Sequence, residues 1–160
     1  MAKKAALLGM FIALAIVLGW LEALVPVFFV VPGMKLGLAN VVTLFALYRY
    51  SWKEAFCVGI LRVLLSCILF GNFSVFLYSL FGMVFSLVTM ALLRRLDKFS
   101  MIGVSAAGGI MHNVGQLIAA FFVIENTVLL YYFPILAIAG VLSGTLIGVL
   151  GAVLYQRIPM

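Results

Sequence analysis

Six long apolar stretches, broken by short polar connections, fill almost the whole chain. About 20 apolar residues are needed to cross a hydrocarbon core, so the pattern predicts membrane-spanning helices near residues 5–25, 36–50, 54–70, 73–93, 101–124 and 133–155. The second is short, roughly 22 Å at about 1.5 Å per residue. Its outer end is expected below the membrane surface, preceded by irregular backbone that is buried in protein or lines a cavity. The predicted fold class is an all-α membrane protein, a six-transmembrane-helix bundle forming a single domain over residues 1–160.

Threading six spans alternately places Lys3, Lys4, Arg49, Lys53, Arg94, Arg95, Lys98 and Arg157 on one side, with Lys35 on the other and Arg62 within a span. By the positive-inside rule the basic side is cytoplasmic, and so are both termini. The net charge of +6 then follows from topology and attraction to anionic lipid heads, with no nucleic acid partner required. Lys3-Lys4 ahead of an apolar run also has the look of a secretory signal, but such a run is about 7–15 residues. This one is longer and reads as a span.

With 68% hydrophobic and 9% charged residues, the composition leaves no room for a soluble domain or linker. Cys57 and Cys67 lie about 15 Å apart along one predicted helix, too far for a disulfide, and are expected to be free thiols. There is no Gly-Lys dipeptide and hence no phosphate-binding loop for ATP. The only acids are Glu22, Glu54, Asp97 and Glu125, each in a different part of the chain. A magnesium-dependent diphosphate enzyme needs clustered oxygen ligands, so catalysis of that kind is not expected. His112 has no aspartate placed to orient it for nucleophilic catalysis, and with the cysteines it does not make a zinc spacing. The chain is therefore expected to be no enzyme and to carry no metal or cofactor.

Polar groups inside spans are the informative ones, because a charge at the membrane centre costs about 2.5–3.5 kcal/mol on insertion scales. On the fifth span Ser105, Gly108, Gly109, His112, Asn113, Gln116 and Ala119 recur at three- and four-residue steps and share a helical face. Gly59, Arg62 and Ser66 do the same on the third span. Glu22 and Asn40 sit in outer halves, and Asn72, Glu125 and Asn126 at outer turns. All lie from the midplane outward, which predicts a cavity open to the outside. The candidate binding residues are Glu22, Lys35, Asn40, Arg62, Ser66, His112, Asn113 and Gln116. Arg62, Lys35 and a helix N-terminus opened by Pro32 and Gly33 favour an anionic group. The competing arrangement pairs Arg62 with Glu22 and uses the amides as interhelical hydrogen bonds. The outer segment Pro26 to Lys35, with Phe28 and Phe29, is expected to close over the cavity.

Small residues also form stripes: Ala5, Gly9 and Ala13, then Ala15, Gly19 and Ala23 on the first span, and Gly140, Gly144, Gly148 and Ala152 on the last. Such stripes let helices approach closely. The two stripes of the first span are about half a turn apart. If the outer one faces the bundle, the inner one faces lipid or another protein.

Several segments together resemble a known family over essentially the whole chain. They are Pro32-Gly33-Met34-Lys35-Leu36-Gly37-Leu38-Ala39-Asn40, Gly59-Ile60-Leu61-Arg62, Phe70-Gly71, Tyr78-Ser79 and above all His112-Asn113-Val114-Gly115-Gln116-Leu117. The family is the bacterial Gx transporter family, also called heptaprenyl diphosphate synthase component I. Its six-span fold is similar to the substrate-binding S components of energy-coupling factor transporters. The resemblance implies a multi-pass protein of the bacterial cytoplasmic membrane that captures a small molecule, vitamin-like or isoprenoid-related. It implies as partners a transmembrane scaffold subunit, docked through Ala5, Gly9 and Ala13, and ATPase subunits reached through that scaffold. The alternatives are an accessory membrane subunit of a prenyl diphosphate synthase, or a structural membrane subunit.

Overall fold

The computed structural model describes residues 2–24 and 37–158. Six α-helices follow one another: α1 Ala2–Leu24, α2 Leu38–Arg49, α3 Trp52–Phe70, α4 Phe73–Arg95, α5 Met101–Ile124 and α6 Phe133–Arg157, with a 3-10 turn over Thr127–Tyr132 before α6. There is no strand among the described residues. Four segments, Ala2–Glu22, Phe73–Arg95, Met101–Ile124 and Phe133–Arg157, are long and apolar enough to cross a membrane, the pattern of a multi-pass membrane protein. α2 is only 12 residues, and α3 carries Lys53, Glu54 and Arg62 within its 19. The segment Pro26 to Lys35, including Lys35, Pro32, Gly33 and the two phenylalanines, lies outside the described residues, as does the side chain of Ala23.

Local chemistry sets the helix ends. Ser51 caps α3, accepting from the Lys53 N–H at 3.2 Å and donating its hydroxyl to the Glu54 carboxylate. Asn72 caps α4 by accepting from the Val75 N–H at 2.9 Å, and Ser100 caps α5 by accepting from the Gly103 N–H at 3.1 Å. Asn126 likewise accepts from the Val128 N–H, and Glu125 ends α5 at φ 51°. Asn72, Glu125 and Asn126 thus act as helix punctuation. α2 opens at Gly37, whose φ of 77° is a left-handed conformation that a side chain resists.

α2 sits at the centre, in contact with α1, α3, α4 and α6. Its residues are buried on every side, with Leu44 at 0% and Leu47 at 1% exposure, as expected of a helix with no polar face. α5 is gripped between α4 and α6, the two most extensive helix contacts in the molecule. Both contacts are backbone to backbone. A Cβ at Gly115 would lie 2.5 Å from the carbonyl oxygen of Phe81 on α4, and one at Gly144 would lie 2.6 Å from that of Ser105 on α5. The last-span stripe therefore packs within the chain. On α1 the two stripes part as their angular offset requires: Ala15 is fully buried and Gly19 faces Ala39, while Ala5, Gly9 and Ala13 are exposed, with open space beyond Gly9.

One end of the bundle gathers the basic groups. Lys4 of α1 pairs with Glu54 of α3 at 2.5 Å and lies 5.8 Å from the Tyr50 ring centroid. Arg94 of α4 donates to the carbonyl oxygens of Leu47 and Tyr48 at the C-terminus of α2 and stacks 5.0 Å from the Tyr48 ring. Arg49 lies over Tyr155 of α6 at 6.0 Å. Arg94 and Arg49 thus lie at the C-terminus of α2, the favourable pole for positive charge. Between the two ends, large apolar side chains such as Met10, Leu14, Ile68, Leu92, Leu142 and Leu146 face outward.

Candidate small-molecule binding cavity

At the end away from the basic cluster the helices enclose a cavity of about 170 Å³. Every helix contributes to its wall. α1 supplies Gly19, Trp20 and Glu22; the start of α2 supplies Gly37, Ala39 and Asn40; and α3 supplies Arg62, Val63, Ser66, Cys67 and Phe70. Gly71, Val75, Phe76 and Ser79 follow from the α3–α4 turn and α4, Gly109, His112, Asn113 and Gln116 from α5, and Ser143 and Ile147 from α6. Among the candidate residues read from the sequence, Glu22, Asn40, Arg62, Ser66, His112, Asn113 and Gln116 all line this cavity, and Lys35 is outside the described residues. Not all of the two polar faces reaches it. Gly59 instead meets Met83 of α4, where a Cβ would stand 3.0 Å from the sulfur, and Ser105 and Gly108 are buried in helix packing.

Glu22 does not pair with Arg62. Its carboxylate accepts the Gly37 N–H at 2.5 Å and the Leu38 N–H at 3.0 Å, capping the N-terminus of α2 from α1. The expectation of a free helix N-terminus waiting for an anion is corrected here: α2 starts at Leu38, and its first amides already hold a carboxylate. Both oxygens of Glu22 are engaged by backbone amides, so its first role is to order this wall. Arg62 is partly exposed to the cavity, feels Glu22 electrostatically, and forms no ion pair among the described residues. Its Nε is buried without a hydrogen-bond partner. A guanidinium has five donors in a fixed fork, and the buried Nε among them carries the cost of an unmet donor.

On the opposite wall the α5 residues are held in place. The Asn113 side-chain NH2 donates to the Leu136 carbonyl of α6 at 2.7 Å, so this amide ties two helices while facing the cavity. The His112 ring and the Gln116 stem lie against Gly82 of α4, where a Cβ would approach His112 Cε1 to 2.8 Å and Gln116 Cγ to 3.0 Å. The wall also includes residues the sequence reading did not single out as binding: Trp20, Cys67, Phe70, Phe76, Ser79 and Ser143. The serines were visible as lone hydroxyls in apolar spans. The aromatics, among so many others, were not distinguishable. No group of three or more His, Cys, Asp and Glu side chains that could hold a metal ion occurs among the described residues.

The family model for heptaprenyl diphosphate synthase component I matches residues 11–154, nearly the whole chain. The chain belongs to that family. No curated protein and no solved structure gives a match. The heptaprenyl diphosphate synthase component I name describes one part of a multi-component assembly, which agrees with a small apolar bundle that has a basic end and an exposed small-residue stripe. It carries no term for transport or for energy coupling.

Proposed function

We propose that this protein is a substrate-capture membrane subunit, similar in role to the S components of energy-coupling factor transporters. In this reading six spans cross the bacterial cytoplasmic membrane with both termini inside, and the cavity collects a small molecule from outside. The observation that carries it is the convergence of Glu22, Asn40, Arg62, Ser66, His112, Asn113 and Gln116 from four different helices on one cavity. Polar side chains used only as interhelical glue would be paired off, whereas Arg62 keeps an unmatched donor. The chain has no activity of its own in this account; a scaffold subunit and partner ATPases supply the work, and the exposed stripe Ala5, Gly9 and Ala13 is the docking line. A second reading, an accessory membrane subunit of a prenyl diphosphate synthase, is favoured by the family name.

Cys67 lines the cavity while Cys57 is exposed elsewhere on α3, which provides a direct test. In a Cys57→Ser background, gently extracted protein should release a specific small molecule detectable by mass spectrometry. Thiol labelling of Cys67 should rise once that molecule is stripped. Absence of any bound molecule, with labelling unchanged and a prenyl synthase catalytic subunit co-purifying, rejects capture in favour of the second reading.

A further inference from the structure

The charges of the cavity define the class of ligand that the capture reading requires. Among the described lining residues Arg62 is the one cation and Glu22 the one anion. Each oxygen of Glu22 already accepts one backbone amide at the start of α2. Arg62 has a buried Nε with no partner among the described residues, and the residue lines the cavity. From this geometry we infer that the cavity takes a compact molecule bearing a single carboxylate, which docks on Arg62, and that it excludes prenyl diphosphates. The inference rests on the capture reading and specifies it.

Charge decides the first half. A carboxylate matches the guanidinium fork bidentately and adds one negative charge to a lining whose two formal charges cancel. The α2 N-terminus beside Glu22 offsets part of that addition. A diphosphate brings several charges at once. Proteins hold such groups with clusters of Arg and Lys or with magnesium on carboxylates, and among the described lining residues one arginine and one glutamate supply neither. Size decides the second half. About 170 Å³ falls below the roughly 300–1,000 Å³ of sites for drug-sized ligands, which favours a compact ligand over a long prenyl chain. The rest of the wall fits a short neutral body, with Trp20 and Phe76 as flat apolar surfaces and the Asn40 and Gln116 amides as hydrogen-bonding groups.

The test uses the full chain in detergent or nanodiscs. Small molecules released from the wild-type protein are identified by mass spectrometry, and thermal shifts are measured with hippurate, with its uncharged amide, and with geranyl diphosphate as probes. The expected result is a released monocarboxylate, a stabilising shift with hippurate that is absent with the amide, and none with geranyl diphosphate. Arg62→Gln should reduce the bound monocarboxylate by about tenfold or more, the loss expected for one charge-assisted contact, with helical content retained. Arg62→Lys should retain more ligand than Arg62→Gln, and it keeps the comparison available if the glutamine variant does not fold. A released diphosphate or uncharged compound, or a shift with geranyl diphosphate alone, overturns the carboxylate assignment and leaves capture intact. No released molecule and no shift with any probe overturns capture and this inference together.

Discussion

At the residue scale the cavity was legible wherever a polar side chain interrupts an apolar run. Arg62, Ser66, His112, Asn113 and Gln116 stand out because the membrane penalises them, and helical spacing alone puts them on inward faces. What each one does was less legible. Glu22 reads as a partner for Arg62 by charge, yet it binds two amides at the start of α2, because a carboxylate at a helix N-terminus satisfies orphan N–H groups as well as a field. Gly82 could not be recognised at all, since its role is defined by a ring on another helix. Its replacement gives a sharp prediction. A methyl there meets His112 and Gln116 side chains at 2.8–3.0 Å, and these can swing into the cavity at a cost of about 1–3 kcal/mol. Gly82→Ala should therefore yield folded protein, by circular dichroism and monodisperse gel filtration, with weakened retention of the bound small molecule. Full retention would show that the α5 wall is not the binding wall.

At the scale of elements, the long apolar runs located all six helices, and local signals explain the shifts at their ends. The α3 helix begins at Trp52, two residues before the expected 54, because the Ser51 cap engages Lys53 and Glu54 in the first turn. α2 begins at Leu38, two residues later than expected, because Gly37 turns left-handed. Helix partnership is less visible from one chain, since stripes of small residues look alike whether they meet a neighbour or lipid. The structure separates them. A side chain on Gly144 meets α5 backbone, the Ser105 carbonyl at 2.6 Å and the Ala106 Cα at 2.8 Å, and backbone cannot step aside as a rotamer can. Gly9 has nothing within 4 Å. Gly144→Val should thus cost at least the upper part of the ~1–3 kcal/mol range for overpacking and lower the melting temperature in detergent by several degrees. Gly9→Val should leave the melt unchanged. Equal melting temperatures for the two variants would contradict the α5–α6 contact.

At the scale of the whole molecule, the two ends differ in kind. One end is tied by Lys4–Glu54, by Arg94 on the α2 C-terminus and by Arg49 on Tyr155, while the other holds the cavity. On the proposed capture reading, binding at one end drives uptake only if something outside the bundle moves it or opens it, and the exposed stripe on α1 is the surface proposed for that scaffold. Ala5, Gly9 and Ala13 are exposed and lie outside the described cavity lining, so bulk there should leave the ligand site untouched. It should block the close helix approach that small residues permit. Gly9→Leu and Ala13→Trp should accordingly abolish uptake in cells that hold the full transporter, while the purified variants keep the wild-type amount of bound small molecule. Loss of both properties together would place the stripe in the bundle's own packing. Uptake that survives both substitutions would remove the docking line, and with it the main support for a scaffold partner.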